Sequence, residues 1–440
     1  MDKIFLLNLK IQGIKNIEKE IELQFYKKGV SQNDFDTTDY NVKAIYGENG
    51  AGKTAIITAV QTLIQLIRNK KYLSDSRSLI LLNELINKKT NSSTISCEFV
   101  IDKNYFRIYR YSISLIRNNE NDITISNEQM AYRSSSSSAW KTVYIIDNNK
   151  FVEFGFSKSL LTYVDNKTKN LLQTQSFVSI LNSEETFKEL CVNAEKNDKE
   201  RVFVDSIFDI LVFSRRTYTY LDTDDQHISY VSNQMFHVLD EKRPRIIPQI
   251  DFIKVADVVV SKEFLPKYKE TISNLYQFIK IFKPELKNIE VDARETNDKF
   301  ICNLIFVYDS YQLFGEFEST GVKKLVRVFT ALQNIDRGNI VFIDEFDANI
   351  HDVYLCKILE YFIQFSSGQL CFTTHNLGPM EVLDKSKKSI DFLARDCSIV
   401  PWHKNGHYSV RNLYSKGMID KSPFNIEPFS FLGIFHNSEE

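Results

Sequence analysis

At 440 residues the chain is long enough for two or three compact units with sizeable cores. Apolar residues make up 43% and charged residues 25%, an ordinary soluble globular balance, and most of the 33 Phe and 21 Tyr must fill core or interfaces. A formal net charge of −2 supplies no global basic field, which argues against a protein that coats nucleic acid.

The six cysteines (Cys97, Cys191, Cys302, Cys356, Cys371 and Cys397) are widely spaced and form no C-x-x-C pair, so neither a zinc site nor a disulfide framework is expected. Cys302, Cys356 and Cys371 stand in apolar runs and read as buried reduced thiols. The first residues lack a signal peptide's apolar core and cleavage site, and no uncharged apolar run reaches the roughly 18 residues of a membrane span. A cytoplasmic location is expected.

In chain order, IFLLNLKIQ and IEKEIELQF alternate as strands about a turn at Gly13, and Lys27 to Asp39 reads as a polar loop. NVKAIYG is a short apolar strand that runs into the loop Gly47-Glu48-Asn49-Gly50-Ala51-Gly52-Lys53-Thr54. Behind the loop, Ile56, Val60, Leu63, Ile64 and Ile67 fall at helical spacing. Residues 94–148 read as a β meander, with Ser134 to Ser138 as an exposed loop between strands. From about 157 to 290 the pattern turns to longer helical segments, and from about 289 strands return (IEVDAR, KFICNLIFVYD).

The loop satisfies G-x-x-x-x-G-K-S/T in full, between a strand and a helix as that motif requires. Its glycines let successive backbone N–H groups turn inward around phosphate oxygens, and the helix behind adds its positive end. Lys53 is expected to reach the β and γ phosphates of ATP, and the Thr54 hydroxyl to bind Mg²⁺. A partner element is then required, an apolar strand ending in an acidic residue. Asn339-Ile340-Val341-Phe342-Ile343-Asp344-Glu345 supplies it: Asp344 would hold the metal and Glu345 would orient or deprotonate the attacking water.

About 290 residues separate the two elements. With that spacing the chain resembles the ABC-type ATPase heads of the SMC, RecF and OLD groups. Glu318-Ser319-Thr320-Gly321-Val322-Lys323-Lys324 looks like their signature segment, in which Ser319 and Gly321 would meet the γ phosphate held by a second copy. Ser319 also suits a helix N-cap, where an anion is favoured. His375, at the end of the strand Leu370 to Thr374, matches the switch histidine of such heads. Phe346-Asp347-Ala348-Asn349-Ile350-His351 fits the D-E-x-x-x-x-I/L-H form of the OLD-like group, whereas transporter ATPases carry Asp in place of His351. Gln173 and Gln175 are candidates for the glutamine that usually senses the γ phosphate.

Together these motifs, with the tail GMIDKSPFNIEPFSFLGIF, resemble the bacterial AAA-domain ATPases of the ABC/OLD-like kind found in phage-defence and abortive-infection systems, including the ATPase subunit of the PARIS system. The resemblance implies an α/β P-loop head with a mixed sheet and an antiparallel β lobe. Its N-terminal half would be residues 1–150, a helical insertion 151–290, and its C-terminal half, with the signature, acidic strand and switch histidine, 291–440. It further implies a head-to-head homodimer or higher homo-oligomer, sandwiched ATP with Mg²⁺, and a separate toxin or nuclease effector. OLD nucleases carry a Toprim domain after the ATPase, and the 65 residues beyond His375 are too few for one.

The rival readings are a RecF/SMC-like ATPase acting on DNA and a scaffold that binds ATP without hydrolysis. Short basic runs such as Arg68 to Lys71 and Lys242 to Arg245 read as solvated ends rather than a DNA groove, and Glu345 argues against the scaffold. His227, His237 and Asp222 to Asp225 have no partner pattern and read as structural.

Overall fold

A computed structural model of the chain describes residues 3–119, 122–194, 198–221, 253–297, 299–404 and 408–419. The elements run β1 (Lys3–Gln12), β2 (Ile21–Gln24), β3 (Val42–Gly47), α1 (Lys53–Arg68), α2 (Ser76–Leu85), β4 (Ser92–Asp102), β5 (Phe106–Asn119), β6 (Asp122–Arg133), β7 (Lys141–Asp147) and β8 (Lys150–Phe154). Next come α3 (Lys158–Thr168), α4 (Phe177–Leu181), α5 (Glu184–Ala194), α6 (Asp198–Arg215), β9 (Thr217–Tyr220), β10 (Val258–Ser261), α7 (Leu265–Phe282), β11 (Asn288–Thr296), β12 (Lys299–Val307) and β13 (Gln312–Phe314). The last are α8 (Thr320–Asp336), β14 (Ile340–Ile343), α9 (Asp352–Phe365), β15 (Gln369–Thr373), α10 (Pro379–Leu383), β16 (Ile390–Leu393), β17 (Ile399–Pro401) and α11 (Val410–Ser415).

The fold is mixed α/β, as expected, with an antiparallel lobe. Central to it is a six-stranded sheet in the order β17-β16-β3-β15-β14-β9, parallel except for β17. Its inner strands are apolar and buried on both faces, the signature of a covered parallel sheet. One face carries α1 and the seven-stranded antiparallel sheet β2-β1-β4-β5-β6-β7-β8, packed as one core. The other carries α8, α9 and α7, with the small antiparallel sheet of β10 to β13. The meander reads true in β4 to β7, where alternating burial marks one face against the core.

The stretch 151–290 departs from a helical insertion. It contributes β8 to the antiparallel sheet, β9 to the edge of the central sheet and β10 to the small sheet, while α4 and α6 pack on α1. Short strands such as TYTY form here because β14 offers them a parallel edge, which local sequence does not reveal. Lys242 to Arg245, His227, His237, Asp222 to Asp225 and most of the tail lie outside the described residues. Among the described residues no helix is long and apolar enough to cross a membrane, and all six cysteines are free. Cys302 and Cys371 are buried as expected, whereas Cys356 is only half-buried.

Gln369 joins the two large sheets. Its buried amide accepts from the Leu6 N–H (2.9 Å) and donates to the Leu6 carbonyl (3.0 Å), beside a register shift in β1. Leu in its place leaves both backbone groups unpaired, at a cost of about 2–4 kcal/mol. We expect Gln369→Leu to melt several degrees below wild type in a thermal scan.

Candidate functional site

The glycine loop joins the C-terminal end of β3 to α1. At Gly47 a Cβ would lie 2.6 Å from the Leu393 carbonyl oxygen of β16, so a side chain is excluded. Gly50 (φ +81°) and Gly52 (φ +110°) carry the loop through left-handed backbone. Gly52 caps α1 without a side-chain hydrogen bond, leaving the first-turn N–H groups and the positive helix end directed at the loop's hollow. Asn49 is exposed at the tip. Ala51 is buried, and the Asn16 amide donates to the carbonyls of Gly50 and Ala51, both at 3.1 Å. Glu48 is ion-paired with Arg395. A cavity of about 960 Å³ runs along β2 and the β16–β17 edge; Asn16, Arg395 and Cys397 line it, and no residue of the glycine loop does.

Lys53 is buried, and its ammonium donates to the carbonyls of Gly47 (2.8 Å) and Glu48 (3.0 Å). Serving a phosphate as expected requires it to exchange those carbonyls for phosphate oxygens. Burial lowers its pKa below the ordinary lysine value, and the charges of Asp344, Glu345 and Asp347 oppose that shift.

The strand order places β15 between β3 and β14, so three strand ends meet side by side. Asp344 closes β14, 5% exposed, and its Oδ1 accepts from the Thr373 hydroxyl at 2.5 Å. The same hydroxyl accepts the Glu345 N–H at 2.8 Å. Glu345 is exposed and held at φ +46°, a conformation rare outside glycine. His375 follows β15. Its edge meets solvent, yet the surrounding loop desolvates the ring, and this burial and then the Lys53 charge lower its pKa, against Asp347, Glu345 and Asp344. Lys53, Asp344, Glu345 and His375 are thus one electrostatic cluster.

The donor set suits Mg²⁺. Oδ2 of Asp344 and the Thr54 hydroxyl accept no hydrogen bond and donate none among the described residues, and both are hard oxygen ligands. Among those residues no group of three or more His, Cys, Asp or Glu could hold a metal by itself, so phosphate oxygens and water would complete the shell.

Ser319 caps α8, its hydroxyl accepting from the Val322 N–H at 3.3 Å, and is exposed. A Cβ on Gly321 would stand 3.0 Å from the Asn349 carbonyl oxygen. Among the described residues neither bonds to this chain's own glycine loop. Gln173 and Gln175 lie away from the cluster: the adjacent Ser176 hydroxyl bonds the Leu66 carbonyl, about 20 Å along α1 from Lys53. His351 caps α9, its Nδ1 accepting from the Val353 N–H at 3.3 Å, which is a structural role.

Sequence reasoning missed Asn16, Thr373, Asp347 and Lys324. Asp347 acts by charge on Lys53, His375 and Tyr46. A third acidic residue just past Asp344-Glu345 was the available signal for it.

No family model matches the chain, and no curated protein does. In outline the fold is similar to solved structures of very different sequence. One is an SMC head bound to the C-winged helix domain of ScpA, with 14% identity, TM-score 0.46, and 90% of this chain and 97% of that one covered. Another is the Smc head from Pyrococcus furiosus with an extended coiled coil, bound to the C-terminal domain of ScpA (12%, 0.42, 91% and 96%). A third is the recombination mediator protein RecF with ATP (10%, 0.39, 91% and 100%).

Because Lys53 lowers the His375 pKa, Lys53→Met should raise the midpoint of the His375 imidazole titration, followed by NMR. Asp347→Asn removes an opposing carboxylate and should lower it further.

Proposed function

We propose that this chain is an ABC-type ATPase, an ATP-dependent dimerising switch that governs a separate toxin or nuclease effector in antiviral defence. The observation carrying the ATPase reading is the convergence of Lys53, Asp344, Glu345 and His375 at three adjacent strand ends below a glycine loop. ATP would seat its phosphates on the loop's N–H groups. Thr54 and Asp344 would hold Mg²⁺, which supplies charge neutralisation at the phosphate oxygens. Lys53 gathers phosphate charge, Glu345 orients a water and takes its proton, and a ring N–H of His375 can bond a γ oxygen. Ser319 and Gly321 make no bond to their own loop, which supports a site completed by the α8 N-terminus of a second copy. The defence role and the effector rest on the motif resemblance.

A second reading, an ATPase acting on DNA, is favoured by one feature. A cleft of about 490 Å³ is lined by Lys385, Lys387, Lys388 and Lys404, with Trp402 and Tyr40 on its walls. Lys387 pairs with Asp39 and Lys404 with Asp384, which weakens the basic field. DNA affinity that falls steeply with salt and is lost in Lys385→Glu/Lys388→Glu would select this reading.

The deciding measurement is ATP turnover by wild type beside Glu345→Gln, with assembly followed by light scattering. We expect the variant to bind ATP, turn over at least ~100-fold more slowly and accumulate as a larger species. Chelation of Mg²⁺ should abolish wild-type turnover. Inert wild type, with assembly indifferent to nucleotide, would leave only a nucleotide-binding scaffold.

A further inference from the structure

Lys324 is the fifth residue of α8, near the end of the helix that carries positive partial charge and disfavours cations. It is nonetheless buried, 6% exposed. A buried ammonium in that place needs compensation, and its Nζ donates to the Glu345 carbonyl oxygen at 3.0 Å. Lys324, Arg327, Val328 and Ala331 form one face of α8, lining a small space shared with Ile343 and Asp344.

The consequence lies in the backbone of Glu345. Its N–H is taken by the Thr373 hydroxyl, and its C=O accepts from both the Lys324 ammonium and, across a turn, the Ala348 N–H (3.1 Å), so the peptide planes on both sides of its Cα are pinned. With both pinned, φ and ψ are fixed, and the Cα–Cβ direction with them. That matters because the residue sits at φ +46°, from which it would relax if released. One pin comes from the central sheet and another from the helix whose first turn bears Ser319 and Gly321. That turn also rests on the loop following Glu345, through the close approach of Gly321 to Asn349.

We propose that Lys324 is a positioning residue for Glu345, tying the alignment of the water-activating carboxylate to the placement of the signature helix. Engagement of Ser319 and Gly321 by nucleotide on a second copy is then felt at Glu345 through one rigid turn of helix and one hydrogen bond. Hydrolysis becomes conditional on assembly. The inference rests on the ATPase reading above and adds to it the route by which docking licenses chemistry.

The test compares wild type, Lys324→Met and Lys324→Arg in the full chain by ATP turnover, ATP affinity, light scattering and thermal melting. Misplacing the carboxylate by an ångström or so should lower kcat of Lys324→Met by about 10- to 100-fold. ATP affinity should stay within about threefold, and ATP should still drive assembly. Arg keeps a donor for the carbonyl and should recover much of the rate. In Lys324→Met/Glu345→Gln the rate should fall no further than in Glu345→Gln alone. Wild-type turnover by Lys324→Met overturns the proposal. So does joint loss of binding, assembly and thermal stability, which would make Lys324 a packing residue, and so does a well-folded Lys324→Arg as slow as Lys324→Met. An inert wild type sinks the ATPase reading and this inference with it; an active wild type beside an equally active Lys324→Met sinks this inference alone.

Discussion

The hydroxyl of Thr373 is the point on which the site depends. It is fully buried at the end of β15 and spends its proton on Asp344 while accepting the amide proton of Glu345. A single β-branched side chain therefore orients one carboxylate and turns the backbone that carries the next. Both groups follow β14, whose two neighbours divide them: β15 supplies Thr373, and β9 takes the Asp344 N–H on the Tyr220 carbonyl. The left-handed backbone at Glu345, a strain of order 1 kcal/mol or more, is held by the Thr373 bond and by the two its carbonyl accepts, from Lys324 and from the Ala348 N–H.

Around this point the glycine loop is held from outside as well as by Lys53 on its own carbonyls. Its carbonyls at Gly50 and Ala51 are bonded by Asn16, from the turn between β1 and β2, and Cys397 packs its thiol against the carbonyls of Asn16 and Ala51. Arg395 anchors Glu48 from the β16–β17 turn. The loop thus touches the antiparallel lobe and the far edge of the central sheet at once. The Gln369 bridge to Leu6 fixes how those two sheets sit together, so the lobe belongs to the nucleotide site as much as the parallel sheet does.

What the sequence disclosed and what it hid divide along a physical line. The glycine loop, the acidic strand and the Ser319 cap were legible because each is specified locally, by left-handed backbone, by an unbroken apolar run or by a side chain returning to its own helix. Thr373, Asn16 and Lys324 act across 28, 34 and 21 residues; Thr373 and Lys324 lie inside segments the sequence marks, but nothing local assigns any of the three its partner. Their roles depend on which strands and turns become neighbours, which pairing between β3, β15 and β14 decides. The same reason explains the stretch 151–290. Its helices announce themselves by period, while β9 and β10 are four-residue strands that exist because an edge elsewhere receives them.

The charge pattern of the cluster constrains how a nucleotide can enter. Asp344, Glu345 and Asp347 lie close enough to act on Lys53 and His375, and burial disfavours the charged form of both basic groups. On the proposed reading these carboxylates stand where a triphosphate would arrive, with the Lys324 ammonium on the Glu345 carbonyl beside them. Backbone N–H groups and the partly desolvated Lys53 offset only part of their charge. On the same reading a divalent cation entering with the phosphates would remove the remainder at Asp344, whose second oxygen has no hydrogen-bond partner among the described residues. Nucleotide and cation are therefore expected to bind as one unit. On that reading the acidic strand end would disfavour the bare polyanion and accept its metal complex.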